Sequence, residues 1–75
     1  MALVKKLNKI TMDRNSVHGE VDCTYSIFID SDGKKYLQLD TYGSSSRKIK
    51  GKKSQSLQFN QESLRMLLEI IKEMI

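Results

Sequence analysis

Apolar and polar residues alternate most regularly over residues 17–30. Val17, Val21, Cys23, Tyr25, Ile27 and Ile29 hold one parity, and His18, Glu20, Asp22, Thr24, Ser26 and Asp30 hold the other. A period of two belongs to a strand with one covered face, so a strand is expected here, with Phe28 the one apolar residue on its polar side. Asp30-Ser31-Asp32-Gly33 then supplies a turn, Gly33 taking the positive φ that closes a hairpin cheaply. Residues 34–42 read as the returning strand: Leu37, Leu39 and Thr41 keep the core parity, while Tyr36, Gln38, Asp40 and Tyr42 face the other way. In this register Phe28, Tyr36 and Tyr42 stand on the outer face of the sheet beside Thr24 and Gln38. A further strand is expected over residues 54–59, with Leu57 and Phe59 inward and Ser56 and Gln58 outward.

The period changes at Asn60, whose side-chain oxygen suits it to cap a helix, with Glu62 placed favourably in the first turn. From residue 61 to residue 75, Met66, Ile70, Met74, Leu67, Ile71, Leu64, Leu68 and Ile75 fan over one side, and Arg65, Glu69, Lys72 and Glu73 cluster on the other. This arc is broader than the ~100° stripe needed to pack on one sheet. The surplus, Leu67, Met66, Ile70 and Met74, is expected to meet the same helix of a second copy; the alternative is that the N-terminal segment folds over it. That segment, residues 3–12, fits neither period cleanly: Leu3, Leu7 and Ile10 have helical spacing, whereas β-branched Val4, Ile10 and Thr11 favour a strand. Residues 13–16 are a turn by composition. The expected class is therefore α+β, an antiparallel sheet of about four strands followed by one C-terminal amphipathic helix, all in a single domain over residues 1–75.

At 75 residues the core is small, and such chains usually need disulfides, metal or oligomerisation to be stable. A lone cysteine excludes an internal disulfide, and with one histidine there is no zinc-ligand set, so oligomerisation remains. Cys23, on the apolar parity, is expected to be an inert core thiol. No run approaches the roughly 20 apolar residues of a membrane span, so a cytoplasmic, non-membrane protein is expected.

Charge changes the picture. Residues 43–54 (GSSSRKIKGKKS) hold five of the thirteen Lys and Arg residues and none of the nine Asp and Glu residues, so without them the net charge falls from +4 to −1. A basic connection between two strands is a natural track for a polyanion, because neutralising phosphates releases condensed counterions. Binding single strands without sequence preference combines such a track with aromatic faces on which bases stack. Arg47, Lys48, Lys50, Lys52 and Lys53, with Lys35 beside them, form the candidate track. Tyr36, Tyr42, Phe28 and Gln38 form the candidate platform. Duplex reading is disfavoured, since the one good helix carries balanced charge on its polar side.

Other chemistry is poorly supported. Gly51-Lys52-Lys53-Ser54 lacks the upstream glycine of a phosphate-binding loop, Ser46 standing there instead. Asp30-Ser31-Asp32-Gly33 lacks the bidentate Glu of a calcium loop. His18 has no identifiable nucleophile or orienting carboxylate. No enzyme, cofactor or metal is expected.

From Lys35 onward the chain resembles the single-stranded-DNA-binding domain of the positive-cofactor-four family of transcriptional coactivators and its small bacterial and phage relatives. Tyr36-Leu37-Gln38-Leu39-Asp40-Thr41-Tyr42 resembles the family's strand ending in an acidic residue and an aromatic, Gly51-Lys52-Lys53-Ser54-Gln55-Ser56-Leu57 is similar to its basic entry into the last strand, and Asn60-Gln61-Glu62 resembles its helix entry. Ser54-Gln55 replaces the family's glycine, and the family's aromatic in the helix is absent. The resemblance implies a curved antiparallel sheet backed by one helix, dimerisation through that helix, and single-stranded nucleic acid along the sheet and its basic connections. The expected function is thus non-catalytic binding of single-stranded nucleic acid, DNA rather than RNA, by a homodimer with an accessory role in transcription or replication. The alternative is a small protein-interaction module, such as a phage or host-defence factor, whose basic stretch occupies a partner protein.

Overall fold

A computed structural model describes residues 1–43 and 53–75. These form strands β1 (Ala2–Val4), β2 (Cys23–Ile29), β3 (Lys35–Tyr42) and β4 (Lys53–Phe59), then helix α1 (Gln61–Met74). The class is α+β, with the four strands in one sheet ordered β1-β4-β3-β2. β3 pairs antiparallel with both β2 and β4, while β1 lies parallel to β4, Ala2 opposite Leu57 and Val4 opposite Phe59. The sheet is therefore mixed, not purely antiparallel as expected. The physical reason lies in the connection: a tight turn forces its two strands to oppose, whereas the long run over residues 5–22 leaves the direction of β1 free.

The hairpin follows the sequence closely. Gly33 has φ 80°, and the Asp30 carboxylate closes the turn by accepting from the backbone N–H groups of Asp32 and Lys34, both at 2.9 Å. The helix start does too. Asn60 is extended (φ −86°, ψ 179°), and its Oδ1 accepts from the Ser63 backbone N–H at 2.9 Å. The buried Ser63 hydroxyl reinforces this by donating to the Asn60 backbone carbonyl oxygen.

Three expectations change. Residues 3–12 are neither a helix nor a strand throughout; only Ala2–Val4 pairs, and residues 5–22 have no helix or strand. The strand expected over 17–30 shortens to Cys23–Ile29, because its partner β3 ends at Tyr42, whose N–H donates to the Asp22 carbonyl as the last rung. Alternation continues back to Val17 with no described strand beside it. Cys23 is an exposed thiol, not a core one.

The helix packs on β3 and β4 and leaves β2 largely uncovered. Phe59, where β4 runs into the cap, is the one buried apolar side chain among the described residues. On the same face of the sheet Tyr25 is 72%, Ile27 67% and Ile29 59% exposed. Sequence parity placed these three in the core; they share its face, but nothing in the single chain covers them. Each large side chain left in water forgoes about 1.5–3 kcal/mol of burial. Met74 (80% exposed) on the helix is likewise uncovered, Ile70 (41%) and Met66 (37%) are partly exposed, and Leu67 is half-buried.

Candidate nucleic-acid interface

Strand register puts the outer residues in rows. Phe28 lies opposite Tyr36; Ser26, Gln38 and Gln58 form the next row, and Thr24, Asp40 and Ser56 the one after. Past an irregularity at Thr41 and Tyr42, Tyr42 pairs with Lys53. Phe28, Tyr36, Gln38 and Tyr42 thus share one face, as the alternation predicts. The Phe28 and Tyr36 rings stack on each other at 5.2 Å between centroids and 15° between planes. One side of each ring is thereby occupied, so a base has only the outward sides to stack on. The Tyr36 hydroxyl donates to Asp30 Oδ2 at 3.0 Å, and the Tyr42 and Thr24 hydroxyls are hydrogen bonded at 3.0 Å. Both phenols are held in place by their polar ends.

Asp40 is the centre of this face and is only 5% exposed. Its carboxylate accepts from the Ser56 hydroxyl and from Gln38 Nε2, and Lys53 Nζ lies 3.4 Å from Oδ2. The Ser56 hydrogen bond does most to hold the Asp40 pKa below its ordinary value of 3.8, Gln38 and Lys53 adding to it against the opposing cost of burial. Asp30 is lowered too, chiefly by the Lys34 backbone N–H, and the neighbouring Asp30 carboxylate raises the Tyr36 pKa. Gln58 Nε2 extends the network, donating to Gln38 Oε1 at 2.9 Å.

Of the residues singled out from sequence, Phe28, Tyr36, Gln38, Tyr42 and Lys53 are brought together on this face. Lys35 is not: it pairs with Ile29 and has the parity of Leu37 and Leu39, the helix side, where it borders a groove with Ile27, Leu37 and Leu64. Arg47, Lys48, Lys50 and Lys52 lie outside the described residues. Asp40, Ser56 and Gln58 also belong to this face, and their signal in the sequence is the two polar alternations on paired strands, Gln38-Leu39-Asp40 and Ser56-Leu57-Gln58, which set four hydrogen-bonding side chains side by side. Among the described residues no group of His, Cys, Asp or Glu side chains could hold a metal ion, and no helix is long and apolar enough to cross a membrane. Against family models, curated proteins and solved structures alike, the chain has no match.

Proposed function

We propose that this chain is a non-catalytic single-stranded nucleic-acid-binding protein that works as a homodimer. One observation carries the proposal. The stretch with five of the thirteen basic residues and no acidic residue leaves the sheet at Tyr42 and returns at Lys53, which are paired on the face bearing Phe28, Tyr36, Gln38 and Tyr42. Cationic side chains would follow the phosphates while bases stack against the outward sides of the rings, a combination that tolerates any sequence. The positive-cofactor-four resemblance supports DNA as the preferred strand and an accessory role in transcription or replication, and the proposal places the protein in the cytoplasm.

The homodimer is supported by the opposite face. Tyr25, Ile27 and Ile29 on β2 and Met74 on α1 are apolar side chains that one chain leaves largely in water, Met66 and Ile70 are partly exposed, and Leu67 lies in the same helical arc. A second copy presents the same surface and would cover it about a two-fold axis. Light scattering should give twice the 8.6 kDa chain mass. The test of binding is the triple variant Lys50→Glu, Lys52→Glu, Lys53→Glu in fluorescence anisotropy with labelled oligo-dT. Wild type should bind oligo-dT more tightly than a duplex, and the variant should lose at least about a hundredfold with its circular dichroism and mass unchanged, each phosphate contact contributing to a strongly salt-dependent affinity. Undiminished binding by the folded variant would remove the basic stretch from the site.

A further inference from the structure

We infer that the free edge of β2 pairs antiparallel with β2 of a second copy, about a two-fold axis through Ser26, joining two sheets into one and completing each copy's outer face with residues of the other. The inference rests on the homodimer reading above and specifies its contact. β2 ends the strand order β1-β4-β3-β2, so one of its sides has no neighbouring strand. Which backbone groups lie on that side follows from its pairing with β3. In an antiparallel pair a residue either exchanges both its N–H and its C=O with the residue opposite or points both away. At the two ends of the ladder the Asp22 carbonyl accepts from the Tyr42 N–H and the Asp30 N–H donates to the Lys34 carbonyl, so the even-numbered residues bond to β3. Cys23, Tyr25, Ile27 and Ile29 therefore aim N–H and C=O at the free side, where no strand or turn of the described residues takes them up.

This edge is also unguarded. Sheet edges are usually blunted by lysine, proline, a bulge or sheer shortness. At the opposite edge β1 is three residues long, with Lys5 and Lys6 directly after it. β2 is seven residues, CTYSIFI, uncharged, without proline and exposed throughout, and its register with β3 is unbroken.

The strand is complementary to itself. With Ser26 on the axis, Tyr25 meets Ile27 and Cys23 meets Ile29 on the helix side, Thr24 meets Phe28 on the outer side, and every outward-aimed group of both copies exchanges a hydrogen bond. A slip by one residue would set the apolar side of one copy against the polar side of the other, and a slip by two would carry an outward-aimed residue past the end of the strand. Beyond the ladder Asp22 faces Asp30 of the second copy, a like-charge pair that confines the pairing to these seven residues. The axis runs perpendicular to the sheet, so both helices lie on one side, flanking a joined apolar strip of Tyr25, Ile27 and Ile29 from each copy. The outer faces merge as well. Phe28, stacked on Tyr36, stands beside Thr24 of the second copy, whose hydroxyl is bonded to that copy's Tyr42. A strand bound on the stack of one copy thus continues onto the tyrosine of the other.

The experiment oxidises a Ser26→Cys variant made together with Cys23→Ser and reads it on a non-reducing denaturing gel, beside wild type. On the axis position 26 meets itself as a non-hydrogen-bonded pair, with Cα atoms about 4.5 Å apart, within disulfide reach. The native Cys23 meets Ile29 instead and lies about 20 Å from its own mate, out of reach. The variant should shift to twice the 8.6 kDa chain mass, and wild type should not. Ile27→Pro removes an outward N–H and no bond to β3, so light scattering should show its mass halved with circular dichroism unchanged; the cross-link carries the test alone if this variant does not fold. Wild type scattering as a dimer while the folded Ser26→Cys variant stays unlinked, wild type linking as readily through Cys23, or a folded Ile27→Pro variant that keeps the dimer would each overturn the edge pairing and leave a homodimer of another geometry standing. Wild type scattering as a monomer would overturn the homodimer itself, and the edge pairing with it.

Discussion

The two faces of this sheet are built from the same three long strands and end in opposite conditions. The outer face is polar and internally satisfied: Asp40 collects Ser56, Gln38 and Lys53, Gln38 collects Gln58, and both outer tyrosines have hydroxyl partners. The helix side is apolar and incomplete, with Phe59 buried and Tyr25, Ile27 and Ile29 in water. A satisfied polar surface is held in one arrangement because each group's direction constrains the next. An unsatisfied apolar surface has no such direction, and it gains by being covered with whatever is apolar and fits. The difference separates the two proposed partners: the ordered face suits a ligand recognised by position, and the bare face suits a second copy of the chain.

That contrast can be broken at several points. The largest effect should come from Phe59→Ala, which removes the one buried apolar side chain among the described residues and should cost about 3–5 kcal/mol in urea unfolding, enough to threaten the fold of so small a domain. Ile27→Glu sharpens the contrast. On the bare face it should weaken self-association by on the order of 3 kcal/mol, about a hundredfold, halving the mass seen by light scattering near the dissociation midpoint while outer-face variants such as Gln58→Ala leave it alone. Two local stops should each cost about 1 kcal/mol of stability without altering either face: Asn60→Ala through loss of the cap to Ser63, and Gly33→Ala through a side chain forced to positive φ. The smallest effect is the pH dependence. Asp40 and Asp30 have folded pKa values below their ordinary 3.8. Their contribution is therefore full above that value and is lost as pH falls through the lowered folded values. The raised Tyr36 gives the mirror case, present below 10.0 and lost as pH climbs through its folded value. Acid titration followed by circular dichroism should show Asp40→Asn with a flatter acid limb than wild type.

Much of this was legible in the sequence where the physics is local. The Asp30 to Gly33 turn, the Asn60 cap, the helix and the shared parity of Phe28, Tyr36 and Tyr42 all depend on neighbours a few residues away. What failed was non-local. Nothing in Ala2–Val4 states which strand it will join or in which direction, so the parallel pairing with β4 could not be read. Residues 17–22 keep a strand's alternation, yet a strand exists only where a partner supplies hydrogen bonds, and β3 ends first. Charge groups Lys35 with the basic stretch, although its own strand's period sends it to the helix side. Asp40 and Gln58 looked like ordinary solvated positions because a polar residue on a polar parity carries no mark of the network it joins. The bareness of β2 was half visible: the helix arc was too wide for one sheet, but that β2 itself would be left uncovered follows from where the helix lies, over β3 and β4.

The most direct test of the division between the faces is an NMR titration of the folded protein with oligo-dT, following aromatic ring and methyl signals together. Binding on the outer face predicts that Phe28, Tyr36 and Tyr42 ring signals shift saturably with added strand, while the methyl signals of Ile27, Ile29 and Leu39 stay in place. Shifts confined to those methyl groups, with the three outer rings unmoved, would contradict it.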